Sequence, residues 1–326
     1  MGNKISNGKN PKYQDANPND PGLGIKTQSG RESQLMKKDN QQEIGKGKYG
    51  SIYKQNNNFV RKVPLLNRGE GIVSAIIKLK ELQQDFQTIN SQRQTSENIW
   101  SVFVAQNEIN NYKYISKRDE IKEYFPLFIK NIGIVSYIEF LEGYITFREF
   151  LQNSENTDEK KQLMKDIVEI LKKIHSNGFY HRDLYSLENI MIKKDKDTKN
   201  IKFIDLGLSL NTETIENYSN NKLQKILNTI HKNRVGEAYN FFVNTYLQDN
   251  STDVIPKEEL PTLLANKDLI MFLVSCQILL FKNKKISEGD NSIITKGNNC
   301  IYYLTTGIHS ISLLNMNDII ENKFVF

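Results

Sequence analysis

The sequence predicts an α+β fold of two unequal lobes, β-rich over residues 41–142 and α-helical over 143–326, behind a 40-residue N-terminal tail. Three observations predict it. Short bursts of alternating apolar and polar residues begin near Ile44, and long stretches with apolar residues at helical spacing take over from Phe147. Residues 1–40 carry almost no periodic apolar content. Strands first and helices afterwards is the order expected of two packed lobes with a cleft between them. The chain has 326 residues, of which 38% are apolar and 25% charged, with 16 Phe and 15 Tyr, enough to bury a core of ordinary size.

Taken in order, residues 1–40 are rich in Asn, Gly, Lys, Pro and Ser and are expected to be disordered. Strands come next at 51–54 and 59–63, with Asn56, Asn57 and Asn58 as the hairpin turn. Ile72, Ile76, Leu79, Phe86 and Ile89 recur at helical spacing, so 70–90 is expected to be an amphipathic helix. Glu108 opens a second helical stretch, with Tyr112 and Ile115 on its face. Residues 132–141 read as strands that end at Glu142 and Gly143. Helices are expected at 158–177 and 222–247, whereas 209–262 is Asn-rich and irregular. The longest apolar run, 269–281, includes Ser275 and Gln277 and is short for a bilayer span, so it reads as a core helix.

Chemistry concentrates in four places. Gly45, Gly47 and Gly50 stand at i, i+2 and i+5, where bare backbone lets N–H groups approach phosphate oxygens. The residues just after Gly50 look like a strand, not the helix that a dinucleotide-binding fingerprint requires. Lys62 lies in the next apolar strand; Glu81 and Glu108 are its two candidate carboxylate partners. His181-Arg182-Asp183-Leu184 comes third, with Asn189 nearby, and Asp205-Leu206-Gly207 comes fourth, after the apolar strand at 201–204.

These residues, in this order, resemble the protein-kinase family, and the fold is therefore expected to be protein-kinase-like. The resemblance covers residues 43–210 and is weak beyond. It implies that ATP and Mg2+ are used. Asp183 would take or orient the proton of a substrate hydroxyl, Lys62 would bind the α/β-phosphates, and Asp205 and Asn189 would hold Mg2+. Gly45, Gly47, Gly50 and Ile52 would cover the nucleotide, and Glu139 and Leu141 would offer backbone groups to adenine. In the family about 30 residues separate the helix glutamate from the end of the fifth strand. Glu108 lies 30 residues before Ile138 and Glu81 lies 57 before it, so Glu108 is chosen and 68–100 is read as an insertion.

Several features depart from the family pattern. Five residues, 184–188, separate Asp183 from Asn189 where the family has four. Either the loop bulges and Asn189 keeps its place, or Glu188 takes the slot; the apolar 190–192 run favours the bulge. Tyr185 stands where Ser/Thr kinases have lysine, Leu206 replaces Phe, and no A-P-E comes after Asp205, leaving 208–262 an atypical activation segment. Asp268, ahead of an apolar helix, is a candidate for the family's buried helix aspartate. His175 and His181 are read as supports of the catalytic loop.

Other signals bound the function. A net charge of +6 suits phosphate-bearing ligands, but no Lys/Arg run is interleaved with aromatics as in a nucleic-acid groove. Cys276 and Cys300 lack disulfide or metal spacing, and no H-x-x-x-H pair occurs among four His. No apolar signal-peptide segment is seen, and a cytoplasmic location is expected. Met1-Gly2-Asn3-Lys4-Ile5-Ser6 fits N-myristoylation at Gly2 in a eukaryotic cytosol, which would bring membrane association if a second signal helped. The expected partner is a protein substrate phosphorylated on Ser or Thr; a small-molecule kinase and a pseudokinase scaffold are the alternatives.

Overall fold

The computed structural model describes residues 42–46, 50–55, 58–65, 93–194, 199–217, 257–258, 260–283 and 320–321. Gly2, Gly47, Glu81, Cys300 and the expected helices at 70–90 and 222–247 lie outside them, as do the tail and residues 218–256.

The first lobe is an antiparallel sheet of β1 (Glu43–Lys46), β2 (Gly50–Lys54), β3 (Phe59–Pro64), β4 (Phe128–Ile132) and β5 (Val135–Glu139). Its spatial order is β1-β2-β3-β5-β4. β2 and β3 pair antiparallel, and their register sets Ile52 opposite Lys62. Side chains on a strand alternate between faces, so Lys62 shares a face with Val60 and Pro64, both buried. That alternation aims its ammonium at the interior side of the sheet.

Helix α1 (Arg93–Ile115) packs against this sheet. It corrects two expectations. Residues 93–100 belong to α1 and not to an insertion, and Glu108 lies well inside the helix instead of opening it. The apolar period was hard to see because polar residues occupy the buried face: Glu108 and Asn111 are as inaccessible as Val104, Ile109, Tyr112 and Ile115.

The second lobe comes after a short linker in which the Phe140 amide donates to Asn58 O. It comprises β6 (Ile145–Thr146), α2 (Phe147–Asn153), α3 (Thr157–Ser176), β7 (Phe179–Tyr180), β8 (Ile190–Lys194) and β9 (Lys199–Phe203). After these come β10 (Leu210–Asn211), α4 (Thr212–Asn217) and α5 (Leu260–Asn283). Helix α2 starts at a reciprocal cap in which Thr146 and Glu149 satisfy each other's backbone N–H. In α3, capped by Asn156, the residues Leu163, Met164, Ile167, Val168, Leu171 and Ile174 form one buried stripe at i, i+3, i+4 spacing. Strands β6, β8 and β9 form one small sheet, and β7 and β10 pair as another. Residues 209–217, expected to be irregular, therefore hold β10 and α4.

The apolar run at 269–281 lies in α5, which is longer than expected. Its stretch Leu260–Leu280 has the length and hydropathy of a membrane span, yet 72% of the apolar window is buried inside the protein. Ile270, Phe272, Leu273 and Cys276 are inaccessible, so α5 is the central core helix of this lobe.

Candidate active site

Three chain segments converge on Lys62. Its ammonium donates to Glu108 Oε1 at 2.9 Å and to Asp205 Oδ1 at 2.9 Å, partners 46 and 143 residues away in sequence. Burial alone would depress the lysine, but the carboxylates of Asp205 and Glu108 outweigh it and hold its pKa above that of an ordinary lysine. Glu108 is enclosed by the protein, whereas Asp205 keeps 39% of its side chain exposed. The ammonium thus reaches from a buried anchor to a carboxylate that a ligand can approach.

The loop between β7 and β8 carries the second half of the site. Asn189 Nδ2 donates to Asp183 O at 2.9 Å and to Asp183 Oδ2 at 3.0 Å. The extra residue of the loop is absorbed in a 3-10 turn, Leu187–Asn189, which buries Leu187 and turns Asn189 inward. Glu188 faces outward, with 58% of its side chain exposed and Arg148 3.4 Å away. Of the two, Asn189 is the one that turns inward.

Asp268 on α5 holds this loop from behind. Its carboxylate accepts from the backbone N–H of His181 and of Arg182, both at 2.7 Å, and lies 3.1 Å from His175 Nε2. Burial would raise its pKa, yet the hydrogen bonds and the nearby imidazoles hold it below the usual carboxylate value. His181 Nε2 is 2.9 Å from Ile204 O, tying the loop to the segment before Asp205. Both imidazoles thus lie within hydrogen-bond distance of groups that flank the loop. Arg182 and Asp205 have φ of 66° and 61°, a left-handed backbone that non-glycine residues adopt only when their surroundings over-determine it.

Of the remaining predicted residues, Gly45, Gly50, Ile52 and Glu139 lie in the sheet and Leu141 just after it. Gly45 sits opposite Ile52 across the first hairpin, and a Cβ at Gly50 would stand 3.0 Å from Val63 O. Glu139 already donates its N–H to Leu127 O, and Leu141 O accepts from Tyr144. An adenine contact at Leu141 would therefore turn to its N–H.

Sequence reasoning missed three residues at this site: Asn107, Asn111 and Asn211. Asn107 Nδ2 donates to Gly207 O and Ser209 O, both at 2.9 Å. Asn111 Nδ2 donates to Leu206 O at 2.9 Å and to Ser209 O at 3.1 Å, and Asn211 Nδ2 donates to Asn111 Oδ1 at 2.8 Å. The only available signal was asparagine four residues apart on a helix, a pattern that ordinarily faces solvent.

The donor set suits Mg2+. Hard cations take oxygen ligands, and magnesium bound with nucleotide needs one or two carboxylates because phosphates supply the rest. Asp205 offers a partly exposed carboxylate, and Asn189 keeps its amide oxygen once its nitrogen is committed to Asp183. No cluster of three His, Cys, Asp or Glu occurs among the described residues, so no all-protein metal cage is built there.

Parts of the chain are similar to known proteins. The model of the Lipopolysaccharide kinase (Kdo/WaaP) family matches residues 135–246. A probable serine/threonine-protein kinase fnkE of Dictyostelium discoideum is 28% identical over 180 residues, 54% of this chain and 12% of that protein. Probable serine/threonine-protein kinase 2 of Plasmodium falciparum is 37% identical over 73 residues, 22% of this chain and 14% of that protein. The chain thus aligns with only a small part of the length of either relative. Among solved structures, the Rio2 kinase of Chaetomium thermophilum in its ADP/Mg2+-phosphoaspartate complex gives a TM-score of 0.38 at 14% identity, covering 80% of this chain and 69% of that one. A second structure of the same kinase gives 0.37 at 16% identity and 69% of each chain. Lys62, Glu108 and Asp205 meet directly, the Ile204 N–H next to Asp205 donates to Asn189 O at 2.9 Å, and over part of its length the chain is similar to these kinases.

Proposed function

We propose that this protein transfers the γ-phosphoryl group of ATP, with Mg2+, to a Ser or Thr hydroxyl of a protein. The observation that carries the reading is the Lys62 ammonium held between Glu108 and Asp205, beside the Asp183–Asn189 pair. In the reaction the acceptor oxygen bonds to the γ-phosphorus, the bond to the bridging β–γ oxygen breaks, and ADP leaves. Lys62 would neutralise α/β-phosphate charge, fixed by Glu108. Asp205 and Asn189 would hold magnesium, which supplies charge neutralisation at the phosphates when bound. Asp183 would accept the hydroxyl proton; its carboxylate is steered by the Asn189 amide and its backbone by the loop that Asp268 holds. The chemistry asks for placement of charge, and placement is what this network provides.

The named serine/threonine kinases among the relatives support a protein acceptor. The Kdo/WaaP match favours a second reading, transfer to the hydroxyl of a sugar or glycolipid. Purified protein incubated with γ-labelled ATP and Mg2+ separates them. Label on serine or threonine of the protein itself or of an added protein supports the first. Label found only in a soluble or lipid-extractable acceptor selects the second, and bound nucleotide with no transfer removes both.

The Met1–Ser6 pattern supports lipidation at Gly2 and a cytoplasmic, membrane-associated protein. Gly2→Ala should then shift the protein to the soluble fraction of eukaryotic cells, and unchanged partitioning would refute the anchor.

A further inference from the structure

The amides of Asn107 and Asn111 are the part of the site that the expected kinase roles do not use. They lie one turn apart on α1 and both face the loop Leu206–Ser209, directly after Asp205. Together they donate four hydrogen bonds to three carbonyls of that loop, those of Leu206, Gly207 and Ser209. Asn111 is fully buried, and its own oxygen accepts from Asn211. Asn211 in turn caps α4 by accepting from the Thr214 N–H at 2.9 Å. Between the two asparagines sits Glu108, which also hydrogen-bonds the Leu206 backbone. The approach is close: a Cβ at Gly207 would lie 2.3 Å from Val104 Cγ1. Only glycine lets helix and loop meet at this distance.

We infer that Asn107 and Asn111 are positioning residues, clamping α1 to the loop after Asp205 so that Glu108, Lys62 and Asp205 keep one register. The physical reason is that a buried carbonyl left unpaired is costly; Leu206 O has one further donor, the Ser209 N–H at 3.2 Å. A sliding or rotating α1 would strip all four bonds at once, together with the Lys62–Glu108 pair. The clamp ties the phosphate-binding lysine and the metal-binding carboxylate to one rigid body.

The inference rests on the proposed use of ATP and Mg2+, and the test separates the two. Asn111→Leu keeps the branched skeleton and removes the donors; Asn111→Asp keeps the shape and sets a carboxylate against two carbonyls. Asn110→Ala, on the exposed side of α1, is the control. Phosphoryl transfer, binding of a fluorescent ATP analogue with and without Mg2+, and thermal unfolding are measured on the full chain. Asn111→Leu should lower kcat 10- to 100-fold, leave KM for ATP within about threefold, and weaken the Mg2+-dependent gain in nucleotide binding about tenfold. Asn111→Asp should regain activity relative to the parent as pH falls from 8 to 6, because a protonated acid can again donate. Asn110→Ala should match the parent in every readout. Unchanged kcat and Mg2+ dependence in both Asn111 variants, or losses that only track the unfolded fraction, would overturn the clamp. A parent that transfers nothing while Asn111→Leu still loses its Mg2+ response defeats the proposed activity and keeps the clamp. A parent that binds no nucleotide defeats both.

Discussion

Asp205→Ala is expected to reduce phosphoryl transfer about 10^3-fold, about 4 kcal/mol of transition-state stabilisation, while the protein stays folded. The side chain is 39% exposed, so its removal leaves no large cavity, and Lys62 keeps its 2.9 Å bond to Glu108. What disappears is the exposed carboxylate proposed to hold a cation over the phosphates. The check is kcat with labelled ATP beside thermal unfolding, with a melting temperature within a few degrees of the parent. Lys62→Ala should lose transfer as severely, but with a loss of stability that Asp205→Ala avoids. It leaves the buried Glu108 carboxylate without its cation, and removing one partner of a buried ion pair costs about 3–5 kcal/mol. A variant at Asp205 with parental turnover would leave the proposed metal site without support.

Asp268→Ala is expected to cost about 3–5 kcal/mol of stability, which is a substantial share of the roughly 5–15 kcal/mol that holds a typical domain together. The carboxylate is inaccessible and serves the N–H groups of His181 and Arg182 as well as the His175 ring. Truncation leaves those groups buried without an acceptor and frees Arg182 from its left-handed backbone. Because the folded-state pKa of Asp268 lies below the ordinary value of 3.8, its contribution is fully present above about pH 4 and is lost as pH falls through the depressed pKa. Urea unfolding should therefore show a constant gap between parent and variant from pH 7 to about pH 5, narrowing below about pH 4. A gap that widened on acidification would contradict the charged, hydrogen-bonded state of Asp268.

Much of the site was legible before any fold was known, and the exceptions share a cause. Lys62, Asp183 and Asp205 are expected because the order of the glycines, His181-Arg182-Asp183-Leu184 and Asp205-Leu206-Gly207 resembles the protein-kinase family. Choosing Glu108 over Glu81 came from the family's strand-to-helix spacing, and the structure sets its Oε1 2.9 Å from Lys62. The boundaries of α1 were missed because a helix face that buries asparagine looks hydrophilic in one dimension. The start of α5 at Leu260 was missed similarly: Asp268 ends the apolar letters yet is buried with them. The strand and helix at 209–217 were hidden in an Asn-rich stretch, where Asn211 is a cap and a buried donor, not a loop residue.

Local pattern alone determined which chemistry-bearing residues this chain possesses, the order of strands before helices, and the strand phase that turns Lys62 toward the core. Those properties depend on neighbours a few residues away, through the two-residue period of strands and the 3.6-residue period of helices. Only the tertiary structure decided that Asn189 and not Glu188 turns inward, that Asp268 supports the catalytic loop, and that Asn107 and Asn111 bind α1 to the segment after Asp205. The partners in those contacts are backbone groups 86 to 102 residues away for Asp268 and the two α1 asparagines, and a carbonyl looks the same in every residue, so no letter announces it.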